Sequence, residues 1–296
     1  MANLKEVRER INSVISTQQI TKAMKMVAAA KLRRAQQAIT QLRPYANKLQ
    51  AMLSNILAGA DDDDQNKYAT QRPLQQGLIV LITSSRGLCG GFNSSLLKTV
   101  ANLIETKYAD LRKAGKLSIL CIGKKGYDYI RKRYADINLI SDHVELVGKD
   151  FAFSDSEAIS SNIMSAFETN EYDMVDIVYA QFKNAATQFF VVEQFLPVPK
   201  AAKKEGEMTA DFIFEPNQTE ILSYLVPTIL KTQFYKTIID TTASEHGARM
   251  TAMDKASENA EELLKGLKIS YNKARQENIT KELTEIIGGV AALEGA

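Results

Sequence analysis

Two apolar stripes at opposite ends of this chain repeat with the period of an α-helix and run too long for one globular core to cover. The longer begins near Thr219 and passes through Ile221, Leu225, Ile229, Phe234, Ile238, Met250, Met253, Ala256, Ala260, Leu263, Leu267, Tyr271, Ala274, Ile279, Leu283, Ile286 and Val290. These are the three- and four-residue steps of one helix face. Unbroken, a helix of that length exceeds ~100 Å, several times the width of a small domain. Its last turns, Ile286-Ile287-Gly288-Gly289-Val290-Ala291-Ala292-Leu293, have no polar face, which predicts a tip sheathed on every side.

The shorter stripe opens the chain. Leu4, Val7, Ile11 and Val14 keep the rhythm, which resumes after Thr17-Gln18-Gln19, displaced, at Ile20, Met24, Val27, Ala35, Ile39 and Leu42. The displacement reads as a stutter that loosens a supercoil locally. Ala23, Ala28, Ala29 and Ala30 let a second helix come close, and Asn3 is placed to cap the first turn. Neither stripe has another mate, so the two are expected to pair antiparallel. From Arg10 to Ala60 there are eight basic residues and no acidic one. A one-signed rod points to an acidic partner surface, and the lack of interleaved aromatics for stacking bases favours a protein over a nucleic acid.

Composition leaves room for one or two domains, or for one domain and an extended element: 296 residues, 45% hydrophobic and 24% charged, with a net charge of +2 that names no partner. The N-terminal residues lack a signal-peptide core, and no run of eighteen apolar residues occurs, so a soluble chain without an export signal is expected. Cys89 and Cys121 stand in apolar surroundings without metal-ligand companions and read as reduced, packed thiols.

Between the stripes the pattern changes. The segment 59–76, with Asp61-Asp62-Asp63-Asp64, has no apolar period and reads as a linker. Leu78–Ile82 is a strand, a helix follows near Ser94–Leu111, Leu117–Ile122 is a second strand, and Lys124–Tyr134 a short basic helix. That alternation is a parallel α/β unit. Ser154 and Glu157 suggest a capping box for a helix reaching about Thr169, and strands at 175–179 and 189–195 suggest a hairpin around Lys183-Asn184-Ala185. Pro197 and Pro199 end the domain, and a mobile connector follows. The expected organisation is an α/β fold plus a long antiparallel coiled coil. An N-terminal helix (1–58), linker (59–76), Rossmann-like parallel-sheet domain (77–200) and connector (201–215) precede a C-terminal helix (216–296).

The glycine-rich stretch Ser84–Asn93 after the first strand invites a phosphate-binding reading. Neither G-x-x-x-x-G-K-[ST] nor G-x-G-x-x-G is present, and Gly123-Lys124-Lys125-Gly126 is too short and lacks the hydroxyl. The two histidines, His143 and His246, mark no catalytic triad. A turn that supports packing or touches a partner is expected, with no cofactor and no metal.

Three sets of motifs then converge. Ile11-Asn12-Ser13-Val14, Thr17–Ala29 (TQQITKAMKMVAA) and Lys31-Leu32-Arg33 open the chain, and Arg86-Gly87-Leu88-Cys89-Gly90 with Asn93 lies in the middle. Glu245–Met253 (EHGARMTAM), Asn259-Ala260 and Tyr271–Leu283 (YNKARQENITKEL) close it. In this order they resemble the gamma-subunit family of bacterial-type F-type ATP synthases. The resemblance implies a central rotor shaft made by the two terminal helices inside a ring of alpha and beta subunits. It also implies a foot beside the epsilon subunit and the membrane c-ring. The chain would be a non-catalytic, peripheral subunit at the cytoplasmic face of the inner (plasma) membrane, with no nucleotide, nucleic acid or small-molecule substrate of its own.

By the same resemblance, Met24 with Lys22 and Lys25 passes an acidic loop of the beta subunit, while Arg249, Arg275, Gln276, Thr280 and Glu282 contact the stator ring. Ile286, Ile287, Val290 and Leu293 form the apical bearing. Intrahelical pairing, such as Glu277 or Glu285 with Lys281, stays open as the alternative for the charged residues. A non-rotary coiled-coil scaffold whose basic helix binds an acidic partner stays open for the whole chain. The cysteine insertion of chloroplast members has no counterpart here.

Overall fold

Strand β1 (Gly77–Ile82) is apolar at every position after Gly77, and alternation sends its side chains to two cores. Leu78, Val80 and Ile82 enter one, Ile79 and Leu81 the other. Burial on both faces is what a central strand between two helical layers requires. The computed structural model describes residues 4–59, 67–146, 152–199 and 218–294.

In chain order, α1 (Leu4–Gly59) precedes β1. Next come α2 (Phe92–Thr106), α3 (Ala109–Lys113), β2 (Leu117–Ile122), α4 (Lys124–Arg133), β3 (Asn138–Ile140) and α5 (Phe153–Glu168). The hairpin β4 (Met174–Phe182) and β5 (Gln188–Leu196) leads to α6 (Gln218–Glu294). The sheet order is β3-β2-β1-β4-β5. β1 to β4 run parallel, and β5 is an antiparallel edge. The expected Rossmann-like sheet and its hairpin are therefore present. The three-residue edge strand β3 was not anticipated, being too short for an alternation pattern to register.

Contacts divide the chain into two compact units, Met1–Ala28 with Met250–Ala296, and Ala29–Arg249. The expected divisions near 58 and 216 followed composition. The contacts divide both long helices internally because the later part of α1 and the earlier part of α6 belong to the sheet core. Leu49 of α1 and Val226, Ile229, Leu230, Phe234 and Ile238 of α6 join the β-strand residues Val80, Ile177 and Tyr179 in one cluster. On the sheet's other face α2 and α4 contribute Phe92, Leu96, Val100 and Ile130. α1 continues through Pro44 and α6 through Pro227. A proline inside a helix costs ~3 kcal/mol, offset at Pro44 by the flanking buried residues Ile39, Ala46 and Leu49.

Two local expectations are corrected. Helix α5 starts earlier than a Ser154 cap would allow. Its N-cap is Ala152, whose N–H donates to Asp155 Oδ2 at 3.2 Å, while Glu157 accepts from Lys231 of α6 at 2.8 Å. Residues 67–76 are not a free tether. Arg72 donates to Phe167 O at 3.0 Å and lies over its ring, and the N–H groups of Gln75 and Gln76 both donate to Asp173 Oδ2. The Asp61–Asp64 run, the connector 201–215 and Asn3 lie outside the described residues.

Candidate functional site

In the unit formed by the chain's two ends, the helices meet along a seam. Its covered positions on α1 are Val7, Ile11, Val14, Gln18, Thr21, Lys25 and Ala28, and on α6 Met253, Ser257, Ala260, Leu264, Leu267, Tyr271 and Ala274. Both series step by three and four without a break, the heptad spacing of a coiled coil. Thr21 Oγ1 and Ser257 Oγ are 2.8 Å apart and buried, and one turn along α1 Lys25 reaches Asp254, one turn back along α6. The pair is antiparallel, as expected.

The expected stutter is absent. The apolar residues that suggested it, Ile20 and Val27, point outward at 60% and 59% exposure, as does Met26 at 68%. Polar Gln18, Thr21 and Lys25 hold the seam in their place. An apolar count follows greasy residues whichever way they face, so it tracked the outer surface here rather than the pairing face.

The same register sets Leu4, where α1 begins, level with Ala274. From Arg275 to Val290 every side chain is exposed. Arg275, Gln276, Thr280 and Glu282 are thus brought together on one open segment, followed by Ile286, Ile287 and Val290. The side chain of Leu293 lies outside the described residues. Lys281 reaches Glu285 at 3.8 Å, an exposed pair worth well under ~1 kcal/mol. Lys22 is exposed and Met24 half-buried.

The basic stretch is less one-sided in space than in sequence. Lys25 pairs with Asp254, Arg43 pairs with buried Asp240 at 2.9 Å, and Lys31 lies close enough to Glu245 to stabilise its charged form. Part of the charge that called for an outside partner is met by α6. Lys22, Arg33 and Arg34 are exposed and make no ion pair among the described residues.

Arg249 is placed differently from the other candidates. It belongs to the sheet-bearing unit and is buried. Nη1 lies 2.7 Å from Glu245, and Nη2 donates to Arg86 O at 3.2 Å and Gly87 O at 3.3 Å. It ends a polar continuation of the α6 stripe through Thr237, Asp240, Thr241, Ser244 and Glu245, all buried. The apolar stripe of the sequence steps from Ile238 to Met250 without these residues. Their three- and four-residue spacing was the available signal, and their polarity concealed it. Burial raises the Glu245 and Asp240 carboxyls above the usual range, opposed by Arg249 and Arg43 respectively. Burial, then Arg249 and Lys31, push His246 down to about 4.

Ser84, Cys89 and Asn93 of the glycine-rich loop are bonded to one another. Asn93 Oδ1 accepts from Ser84 N at 3.2 Å, while its Nδ2 donates to Ser84 Oγ at 2.7 Å and Cys89 Sγ at 3.1 Å. Leu88 and Gly90 take positive φ of 63° and 58°. Cys89 and Cys121 are free and buried. Among the described residues no group of three or more His, Cys, Asp or Glu is arranged to hold a metal, and no helix is long and apolar enough to cross a membrane.

A doubly wound sheet domain bracketed in sequence by two long helices that pair antiparallel is a fold found in ATP synthase rotors. The chain resembles a chain of the central stalk/c-ring structure of Tetrahymena thermophila mitochondrial ATP synthase, with a TM-score of 0.59 and 27% identity over 80% of this chain and 99% of that one. It shares its fold with a chain of Euglena gracilis mitochondrial ATP synthase in rotational state 3, with a TM-score of 0.68 at 21% identity, covering 98% and 94%. The family model described as ATP synthase matches residues 3–293. The ATP synthase gamma chain of Cytophaga hutchinsonii is 51% identical over 296 residues, 99% of each chain, and that of Christiangramia forsetii 49% identical over 295 residues, the full length of both. The chain belongs to the ATP synthase gamma-chain family.

Proposed function

We propose that this chain is the central rotor shaft of an F-type ATP synthase, coupling ion-driven rotation of a membrane c-ring to the conformational cycle of catalytic beta subunits. The observation that carries the reading is the end of α6. Beyond Ala274 a single helix exposes Ile279, Leu283, Ile286, Ile287 and Val290 along one face, and from Ile286 to Val290 no polar side chain breaks its surface. A surface of that kind in water needs a sleeve, and an apolar sleeve permits turning, because dispersion contacts change little as the helix rotates. In this reading Arg275, Gln276, Thr280 and Glu282 touch the alpha–beta ring below the tip. Exposed Lys22, with half-buried Met24 and Lys25 beside it, passes an acidic beta-subunit loop, and Ile20, Met26 and Val27 are exposed on the adjoining outer face. The chain is non-catalytic and binds no nucleotide. Its foot, with the epsilon subunit, attaches peripherally at the cytoplasmic face of the membrane.

Two variants test the tip. Deleting residues 289–296 removes apolar surface worth ~25 cal/mol per Å² but keeps every proposed coupling residue, so the alpha–beta–gamma complex should assemble in lower yield and still turn over ATP. Val290→Asp puts an unpaired charge into the sleeve at a cost of several kcal/mol and should be worse. Yield and ATPase rate of the purified complex decide. A harmless aspartate, or a truncation that assembles fully and is dead, overturns the bearing. Peripheral attachment predicts release by low ionic strength and chelator, and a requirement for detergent would contradict it.

A further inference from the structure

In an open α/β sheet, ligands bind in the crevice outside the carboxyl ends of the two neighbouring parallel strands at which the strand order reverses. β1 and β4 are that pair here. They run parallel side by side, α2 after β1 packs into one core, and α5 before β4 packs into the other. The crevice is filled by α6 itself. Ser244 Oγ donates to Ala180 O at 3.1 Å, and Thr241 Oγ1 accepts from Ala180 N at 3.3 Å. Arg43 of α1 donates to Phe182 O at 2.7 Å while paired with Asp240. Gly247 is pressed against the β4–β5 turn, where a Cβ would stand 3.1 Å from Ala185 O. Arg249 holds the carbonyls of Arg86 and Gly87 in the loop after β1.

We propose that residues 240–249 of α6 form a torsion clamp in the sheet domain's ligand crevice. Arg249 acts as the positioning residue that sets the loop Ser84–Asn93 against the helix, and twist applied to the sheet domain passes into α6 instead of being lost as slip. The inference rests on the rotor reading. The apolar part of the interface, Ile229, Leu230, Phe234 and Ile238, fixes which face of α6 meets the sheet but tolerates small rotation about the helix axis. Hydrogen bonds to fixed backbone groups depend steeply on angle and resist it strongly. Their donors and acceptors come from the end of β4 and the loop after β1, so the clamp grips the helix from more than one direction.

The test separates the clamp from simple loss of folding. Arg249→Gln removes the loop contacts and leaves Glu245 buried without its partner, whereas Glu245→Gln with Arg249→Gln removes the same contacts and the stranded charge together. In membrane vesicles carrying the complete ATP synthase, the readout is ions moved per ATP hydrolysed, with the melting temperature of each variant chain measured in parallel. The double variant is expected to recover most of the melting temperature lost by Arg249→Gln, while its coupling ratio stays several-fold below native. Native coupling in the double variant would overturn the clamp, as would coupling that recovers in step with stability. If the variants do not incorporate, amide exchange in residues 84–93 of the purified chain decides: roughly tenfold faster exchange in the double variant supports the clamp, and native protection overturns it. Vesicles with the native chain that hydrolyse ATP without moving ions would sink the rotor reading and not the clamp.

Discussion

His246 is held neutral to about pH 4 by burial and by the positive charges of Arg249 and Lys31, so its proton linkage has a definite sign. The unfolded chain protonates it below ~6.5 while the folded chain does not, so stability is lost as pH falls from ~6.5 to about 4 and is flat below. Glu245, raised by burial, works the other way, binding its proton earlier in the folded chain and softening acid destabilisation. In His246→Gln the histidine part disappears. The variant should gain on the native chain by at most ~2 kcal/mol between pH 7.5 and 5, read from melting temperatures at the two pH values. A constant difference would show that His246 is not neutral in the fold. At Met24 the expected effect is on coupling. Met24→Lys adds a cation beside exposed Lys22 and next to Lys25, whose own charge is met by Asp254. Near an acidic stator loop it would form a charge-assisted contact of ~1.5–3 kcal/mol at one rotary angle, slowing the step away from that angle by roughly ten- to a hundredfold. The complex should assemble and pump poorly, and unchanged ion pumping in vesicles would remove the acidic neighbour from the picture.

The paired helices are held by a seam that is polar where most coiled coils are greasy. Thr21 and Ser257 face each other, and since each hydroxyl has one proton, one donates across the seam while the other donates to a carbonyl of its own helix, Gln18 O at 3.0 Å for Thr21 or Met253 O at 2.8 Å for Ser257. Neither is stranded when the other is lost, so Thr21→Val or Ser257→Ala alone should cost no more than ~1 kcal/mol. Replacing both by apolar residues should be neutral or stabilising, since no buried donor is left over. Melting curves of the three variants decide, and a double variant as costly as the two singles added would show that the pair does more than fill the seam. The half-exposed Lys25–Asp254 pair is worth less. Its value lies in register, because an apolar seam alone slides at little cost whereas one polar step matches only one alignment.

For the whole molecule, an occupied crevice carries a plain expectation. Labelled ATP should show no saturable binding to the isolated chain at millimolar concentration, because the switch point of the sheet holds α6, and in the loop after β1 Asn93 is bonded to Ser84 and Cys89 while the carbonyls of Arg86 and Gly87 accept from Arg249. Tight binding in equilibrium dialysis would revive the phosphate-binding reading of that loop. What the sequence determined by itself was whatever repeats locally. Two long helices announced themselves through period, the strands β1 and β2 through unbroken apolar runs, and the exposed tip through the loss of any polar face after Ile286. The tertiary structure alone decided which face of each helix turns inward. Gln18, Thr21 and Lys25 are covered while Ile20 and Val27 are not, and Asp240, Ser244, Glu245 and Arg249 continue a buried stripe where the apolar pattern had stopped. A polar side chain is buried only when its partner is in reach, and the partners of Thr21, Arg43 and Arg249 are hydroxyls, carboxylates and carbonyls more than a hundred residues away in the chain. Apolar periodicity records the tendency to leave water, but not the hydrogen bonds that make burial of a charge affordable.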